Sequence, residues 1–510
     1  MATRLRDPPG WAVSAAGILV LVALSLWLRS SALHAPFWID EGLSVGISSH
    51  PLADIPSVLR QDGSPPLYYL ILGVWMRAFS DGQATTHVLS LAFALMTIPA
   101  AWWAGHSLFG ARAGWFAALL ATVNPFLTYY AQETRMYSLV SLLGLLVAAL
   151  WAHVFAFERR RWRIPAGLAL AALVYSHNWG LFLGVGTVIA VLPIWWRAAD
   201  RRAVVRDAAV VYGVTALIYL PWLPTLAFQA AHTGAPWSVK PSLADVLGPI
   251  SGILGGQAVP LGLLLAAGAG LAALARRSRT DAQQSVRAVW LLIVIPVAGL
   301  AVAWLSSQAS PAFTGRYFAV FLGPVILLAG AGLAHAGRLG IVCLLIVLAL
   351  WIDPRTGAIE RKSDARVVAS LVAPHVSPGD LVVSVHPEQA PLLRYYFPPG
   401  LRYATALGPM ADPGVFDWRD ALDKLRAADP PGTLGRLVNT LEPGRRLVLV
   451  LPIIRTASWR APWTRLVRRR SAEWELAAQR DVYLRRLLVA PRFGNRRLPR
   501  GVRAVVYERL

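Results

Sequence analysis

The sequence predicts a multi-pass α-helical membrane protein of about eleven transmembrane helices, ending in a C-terminal extracytoplasmic α/β domain. Three observations predict it. Apolar runs of ~20 residues, long enough to cross a bilayer, recur from Trp11 to Trp351. Charged residues make up 15% of the 510-residue chain and hydrophobic ones 56%, whereas a soluble protein is about a quarter charged. Beyond Trp351 the long apolar runs stop, and strand-like and helix-like stretches alternate between Pro/Gly turns. A soluble globular enzyme is excluded.

Arg4 and Arg6 precede the first run, Trp11 to Leu28. It is long for the core of a secretory leader and no clean small-residue cleavage pattern follows, so it reads as a first span with a cytoplasmic N-terminus. Further spans are expected over 87–105, 113–131, 137–157, 164–179, 180–196, 208–228, 258–275, 288–305, 317–335 and 338–352. Their connections fall into two chemical kinds. Arg159, Arg160, Arg161 and Arg163 fill one loop, Arg197, Arg201, Arg202 and Arg206 another, and Arg276, Arg277 and Arg279 a third. The intervening connections, Gln132–Met136, Ser176–Trp179, His232–Lys240 and Ser306–Arg316, carry few basic residues. The positive-inside rule places the Arg-rich set in the cytoplasm and the other set outside.

Leu67 to Phe79 is apolar but only 13 residues long, ~20 Å of helix against a ~30 Å hydrocarbon core. Counting it as a crossing would also invert the charge bias. It therefore lies along the membrane surface or dips in and returns, and the first outer loop runs from 29 to 86. A transmembrane domain over 1–352 is followed by the α/β domain, 353–510. Strands are expected at Leu381–Val385 and Arg446–Leu451, helices at Asp364–Ala373 and Trp418–Ala428.

The formal charge of +22 does not point to nucleic acid. Cytoplasmic arginines account for part of it, and much of the rest lies between Arg455 and Leu510, densest at Arg468, Arg469 and Arg470. That basic stretch reads as a soluble face near anionic lipid headgroups rather than a specific anion site. Cys343 is the only cysteine, so no intrachain disulfide or thiolate metal site exists, and its apolar surroundings predict a lipid- or core-facing thiol.

The outer loop opens with Pro36-Phe37-Trp38-Ile39-Asp40-Glu41-Gly42. Adjacent acids point in different directions, so one can face a reacting group while the other meets a partner or cation. A partly desolvated Asp suits a general base acting on a hydroxyl; both acids equally read as solvated headgroup-level carboxylates or as the cap of a surface helix. Farther on comes Gln61-Asp62-Gly63-Ser64-Pro65-Pro66-Leu67-Tyr68-Tyr69. Asp62 reads either as a holder of a substrate hydroxyl or metal or as a turn former. Tyr68 and Tyr69 suit an interface.

Two more outer clusters follow. Tyr129-Tyr130-Ala131-Gln132-Glu133-Thr134-Arg135-Met136-Tyr137 centres on Arg135, whose planar fork suits a lipid-linked phosphate, or which bridges to Glu133 or Asp40. Tyr175-Ser176-His177-Asn178-Trp179 places His177 among aromatics, where it reads more readily as a hydrogen-bonded packing residue than as a ligand. Arg316-Tyr317 adds a cation at the outer edge, ordinarily an anchor. Each signal is weak; their convergence on one membrane side marks a site. No P-loop, HExxH, nucleophile elbow or dinucleotide fingerprint occurs, so an already activated substrate must supply the energy.

In their order FWIDEG, DGSPPLYYLILGVWMRAF, NPFLTYYAQETRMYSL, VYSHNWGLFL and GRYFAVFLGP resemble the bacterial glycosyltransferase family 39 group, over roughly 11–352. These are C-type membrane glycosyltransferases, related to protein O-mannosyltransferases and aminoarabinose transferases. The resemblance implies the C-type glycosyltransferase fold and inverting transfer of a sugar, mannose as the family-level expectation, from a polyprenyl-phosphate donor to an acceptor hydroxyl on a glycan, lipid or protein. It implies Asp40 as catalytic base with Glu41 beside it, Asp62 and Pro65–Tyr69 as the rest of the catalytic loop, and Arg135 and Arg316 near the carrier phosphate. The substrate-facing set expected with them is Tyr68, Tyr69, Tyr130, Glu133, Tyr137, His177 and Tyr317, and Trp38 and Tyr129 join the aromatic wall. Many relatives have His before the Pro-Pro pair, where Ser64 stands here. No cofactor is implied beyond a possible divalent cation, with no ligands assigned. The expected location is the plasma membrane. The rival readings are a lipid-linked saccharide transporter and a cell-wall-binding scaffold.

Overall fold

A computed structural model describes residues 10–276, 280–352, 359–360, 362–454, 460–491 and 500–510. The first part is helical. In chain order come α1 (Gly10–Arg29), α2 (Ile39–Ser48), α3 (Ile55–Asp62), α4 (Leu67–Ala78), α5 (Gln83–Phe109), α6 (Ala111–Val123), α7 (Pro125–Tyr130), α8 (Tyr137–Trp151) and α9 (Arg163–Ser176). Then follow α10 (Trp179–Arg197), α11 (Arg201–Tyr219), α12 (Leu223–His232), α13 (Ala244–Ile253), α14 (Ala258–Ala275), α15 (Thr280–Ala309), α16 (Ala319–His335) and α17 (Gly337–Trp351).

Among the described residues eight helical segments are long and apolar enough to cross a membrane, and shorter apolar helices fill the places between them. The segments over Tyr137–Ala156 and Gly315–His335 are 94% and 83% buried, so α8 and α16 form the centre of the bundle, whereas the Trp11–Arg29 segment is 17% buried and lies at its edge. A central helix must be apolar all round, and α8 is.

Some expected spans change shape. The run 113–131 breaks into α6 and α7, because Asn124 accepts a hydrogen bond from the Leu127 amide and Pro125 stands at the first helical position, which starts a new helix. The run 208–228 lengthens to Arg201–His232 through a tight turn at Leu220–Trp222. Spans 164–179 and 338–352 fall on helices of 14 and 15 residues. The segment 67–79 is the 12-residue α4, and α13 lies in a stretch to which the sequence reading gave no element.

After Trp351 comes the α/β domain. Its elements are α18 (Ala365–Val372), β1 (Leu381–Ser384), α19 (Ala390–Tyr396), β2 (Arg402–Thr405), β3 (Gly408–Pro409), α20 (Ala421–Ala427), α21 (Pro430–Asn439), β4 (Arg446–Ile454), α22 (Pro462–Arg480), β5 (Leu484–Ala490) and β6 (Arg500–Arg509). The strands form one sheet in the order β3-β2-β1-β4-β6-β5. β1 pairs in parallel with β2 on one side and β4 on the other, while β6 runs antiparallel to β4 and β5. β1 is buried at all four positions, as a parallel strand covered on both faces requires.

The two parts share a core. Phe37, Trp38, Ile39, Leu43 and Val45 of the first loop pack in the same apolar cluster as Val382, Leu392 and Trp463 of the α/β domain. Gly42 is needed there: a Cβ at this position would lie 2.7 Å from the Leu392 Cα, so only glycine lets α2 reach α19. Backbone bonds extend the seam, from Trp418 N to Gln61 O (2.9 Å), Asp420 N to His232 O (2.9 Å) and Trp463 N to Pro236 O (3.2 Å).

The basic cluster is largely spent inside the domain. Arg469 and Arg470 both pair with Glu473 on α22, and Arg470 also bonds the Leu425 and Arg426 carbonyls. Cys343 is half-buried on α17, its Sγ 3.7 Å from the Gly262 carbonyl oxygen.

Candidate active site

A cavity of about 680 Å³ lies where the bundle meets the α/β domain. Asp40, Asp62, Arg135, His177, Arg316 and Tyr317 all line it, although up to 276 positions separate Asp40 from Arg316. α2 begins at Ile39, with Trp38 as its N-cap, so Asp40 sits in the first turn. Its Oδ2 is 2.8 Å from Arg316 Nη1, and both side chains are largely buried. The Arg316 guanidinium lies over the rings of Trp38 and Tyr317, at 5.7 and 5.8 Å. Arg135 approaches from the loop before α8. Its Nη1 donates to the Asp40 carbonyl (3.3 Å), Ser44 Oγ (3.1 Å) and Tyr69 OH (3.5 Å). It meets Asp40 through the main chain; the expected bridge from Arg135 to Glu133 or to the Asp40 carboxylate is not formed.

Asp62 ends α3, and Gly63 follows with φ +93°, a left-handed turn that favours glycine. A Cβ on Gly63 would also sit 2.7 Å from Thr233 Oγ1. The carbonyl of Gly63 accepts from Asn178 Nδ2 (3.0 Å) and that of Ser64 from Gln229 Nε2 (3.2 Å). Burial, aided by the nearby Asp40, pushes the Asp62 carboxyl above its ordinary range, against the Ser64 hydroxyl and Arg135. Asp62 is thus a better proton holder than a free aspartate.

Glu41 goes elsewhere. Its side chain is fully buried and does not line the cavity. Oε1 accepts from His87 Nε2 (2.6 Å) and the Thr134 amide (2.8 Å). Oε2 accepts from Lys362 Nζ (2.8 Å) and from the Trp38 amide (3.3 Å), which ties the start of α2. Burial alone would raise Glu41, but Lys362 and His87 outweigh it and hold the carboxyl well below the carboxylate range. Sequence order puts Asp40 and Glu41 side by side, while the helix turns them to different faces. Of the adjacent acids, Asp40 lines the cavity and Glu41 lies behind it among its own partners.

Glu133 belongs to the buried group as well. It is 1% exposed and faces Lys362 at 3.8 Å. Burial pushes its carboxyl up to about 7, with Lys362 pulling down and Glu41 and Asp40 pushing up.

The aromatic expectations need correction. Tyr68 and Tyr69 are fully buried in the bundle core and do not line the cavity, because α4 packs against α2 and α5 instead of lying open to an interface. Tyr129 and Tyr130 are half-buried. Tyr130 packs on Phe126 and Tyr137 at 4.4 and 4.8 Å, and Tyr137 is fully buried. Of the expected wall, Trp38 and Tyr317 reach the cavity. His177 does both jobs: its Nδ1 accepts from the Trp179 amide (3.1 Å) at the start of α10, and its ring packs 4.7 Å from Tyr317.

Residues missed from the sequence are Lys362 and His87, and the cavity wall formed by His386, Glu388 and Trp463. His87 carried a signal, since an ionisable residue opening an apolar run is unusual. Lys362 carried none. As for a cation, the described residues contain no group of three or more His, Cys, Asp or Glu placed to hold one. Of the three cavity carboxylates, Asp40 pairs with Arg316, Asp62 lies near Arg135 and Glu388 pairs with His386, so this donor set does not fit a metal site.

No protein-family model matches the sequence, and no curated protein matches it either. The likeness is structural. ArnT from Cupriavidus metallidurans superposes with a TM-score of 0.65 at 14% identity, covering 98% of both chains; a second ArnT structure, bound to undecaprenyl phosphate, gives 0.62 over the same coverage. The archaeal oligosaccharyltransferase AglB from Archaeoglobus fulgidus, in complex with an inhibitory peptide and a dolichol-phosphate, gives 0.53 at 12% identity over 94% of this chain and 73% of that one. Arabinofuranosyltransferase AftD from Mycobacteria gives 0.59 at 16% identity, over 98% of this chain and 40% of that one. The chain therefore has the C-type fold of membrane glycosyltransferases.

Proposed function

Starting from that fold, we propose that this membrane protein transfers a sugar from a polyprenyl-phosphate donor to an acceptor hydroxyl at the extracytoplasmic face of the plasma membrane. The observation that carries the reading is the Asp40–Arg316 pair, with Arg135 and Asp62 beside it, on one cavity at the end of an apolar bundle. Support from the neighbours is that one is bound to undecaprenyl phosphate and another to a dolichol-phosphate. A mannose-like hexose is the family-level expectation for the sugar.

Asp40 acts as general base. Its carboxylate takes the proton of the acceptor hydroxyl while that oxygen bonds to the anomeric carbon. The bond from that carbon to the phosphate oxygen breaks on the opposite face, and the electron pair leaves with the polyprenyl phosphate. Configuration inverts. Arg316 and Arg135 stabilise the charge that grows on the leaving oxygen, and Arg316 exchanges part of its contact with Asp40 for the phosphate. Asp62, with its raised affinity for a proton, hydrogen-bonds the sugar. Holding donor and acceptor in one cavity offsets the entropy of bringing two molecules together. Glu41 is a positioning residue that fixes the start of α2. Against a transporter, the acids and guanidiniums stand at helix ends, Asp40 in the first turn of α2, Asp62 at the end of α3, Arg135 before α8 and Arg316 before α16, not midway along broken helices.

The test is chemical. Purified protein in lipid nanodiscs, given a radiolabelled polyprenyl-phosphate sugar, should release the sugar from its carrier. No release above a heat-inactivated control, across mannose, glucose, galactose and arabinose donors, sinks the reading.

A further inference from the structure

The α/β domain brings a crevice of its own to the cavity. In an open parallel sheet, ligands bind beyond the carboxyl ends of the strands, where neighbouring strands are followed by connections running in opposite directions. Here that switch point lies between β1 and β4: the chain leaves β1 for β2 on one side, and β4 returns on the other. His386 and Glu388 follow the end of β1, and Trp463 and Thr464 open α22, which follows β4. All four line the cavity that holds Asp40.

We propose that this crevice is the acceptor subsite and binds a saccharide; the assignment rests on the glycosyl-transfer reading. Both parts of the chain contribute to the cavity wall. The bundle supplies Arg135 and Arg316, whose guanidiniums suit a phosphate, with Asp40 and Asp62 beside them. The α/β domain supplies Glu388, which accepts from His386 Nε2 at 2.7 Å, with side chains 15% and 6% exposed. A carboxylate there repels a phosphate and binds hydroxyls. His386 Nδ1 is buried and has no hydrogen-bond partner among the described residues, a polar atom left to be satisfied by something that enters. Trp237 supplies a half-buried indole held 4.4 Å from Trp418, which packs 5.1 Å from Trp463. A carboxylate, an imidazole and an indole wall match a ring that carries hydroxyls at its edge and C–H bonds on its face. Arg460 stands exposed at the rim.

Saturation-transfer NMR on the full chain in lipid nanodiscs tests it, with the methyl glycosides of mannose, glucose, galactose and arabinofuranose as probes and a Ser/Thr-rich peptide as the rival ligand. Glycosidic detergents are avoided because they would compete. The wild type should bind at least one glycoside saturably. Glu388→Gln, and independently His386→Gln, should weaken that binding about tenfold while the protein stays monodisperse. The proposal is overturned if no glycoside binds, if both variants bind as the wild type does, or if only the peptide shows Glu388-dependent binding. Glu388-dependent glycoside binding without donor cleavage keeps the subsite and removes the transferase reading alone.

Discussion

The Lys362 ammonium lies 2.8 Å from the Glu41 carboxylate across 321 positions of chain, both buried, so the segment that enters the α/β domain supplies the counter-ion for the loop that carries Asp40. Glu41 in turn holds the amide of Trp38, the N-cap of the helix on which Asp40 sits. Domain docking and the placement of Asp40 are thereby one structural event.

Breaking that pair should unfold the seam. Removing one partner of a buried ion pair costs about 3–5 kcal/mol, so Lys362→Met and Glu41→Gln should each lower the melting temperature markedly in nanodiscs. The double variant should lose less than the sum of the two. Additive losses would show that the two groups do not interact.

The proposed role of Asp40 as base is tested by Asp40→Asn, which keeps shape and removes the proton acceptor. General-base catalysis contributes about 10²–10⁴-fold, so sugar transfer should fall at least about a hundredfold with the protein still correctly inserted. Turnover at the wild-type rate would eliminate Asp40.

Glu133 sets a pH dependence with a defined sign. Its folded-state value of about 7 stands above the ordinary 4.5, so the folded protein keeps a proton that the unfolded chain has lost. That stabilisation is complete below 4.5 and is lost as pH rises towards 7. Glu41 has the opposite sign: its stabilisation is present above 4.5 and is lost as pH falls below it. Melting temperature should drop between pH 5 and 8 in the wild type, and Glu133→Gln should flatten that limb. An equal drop in the variant would assign the effect to another group.

Gly42→Ala should loosen the docking of α2. With the Leu392 backbone 2.7 Å from the new methyl, one helix must move, at about 1–3 kcal/mol. Hydrogen exchange should quicken in α2 and α19 and not in α14. Unchanged exchange in both helices would mean that the contact is looser than described.

Composition and spacing alone established a chain that lives in a bilayer, with a separate mixed domain after Trp351, because apolar length and charge deficit are properties of the chain itself. They also singled out Asp40, Asp62, Arg135 and Arg316, since acids and arginines beside apolar runs stand out without any fold. The faces of those residues were not legible. Asp40 and Glu41 are neighbours in sequence, and only the start of α2 sends one to the cavity and the other to Lys362. Tyr68 and Tyr69 looked interfacial and are core, because burial depends on what packs against α4. Lys362, His386 and Glu388 look like ordinary surface residues until the α/β domain docks. Such pairings join positions hundreds of residues apart, and the sum of packing contacts across the seam decides them, a quantity that no local stretch of sequence contains.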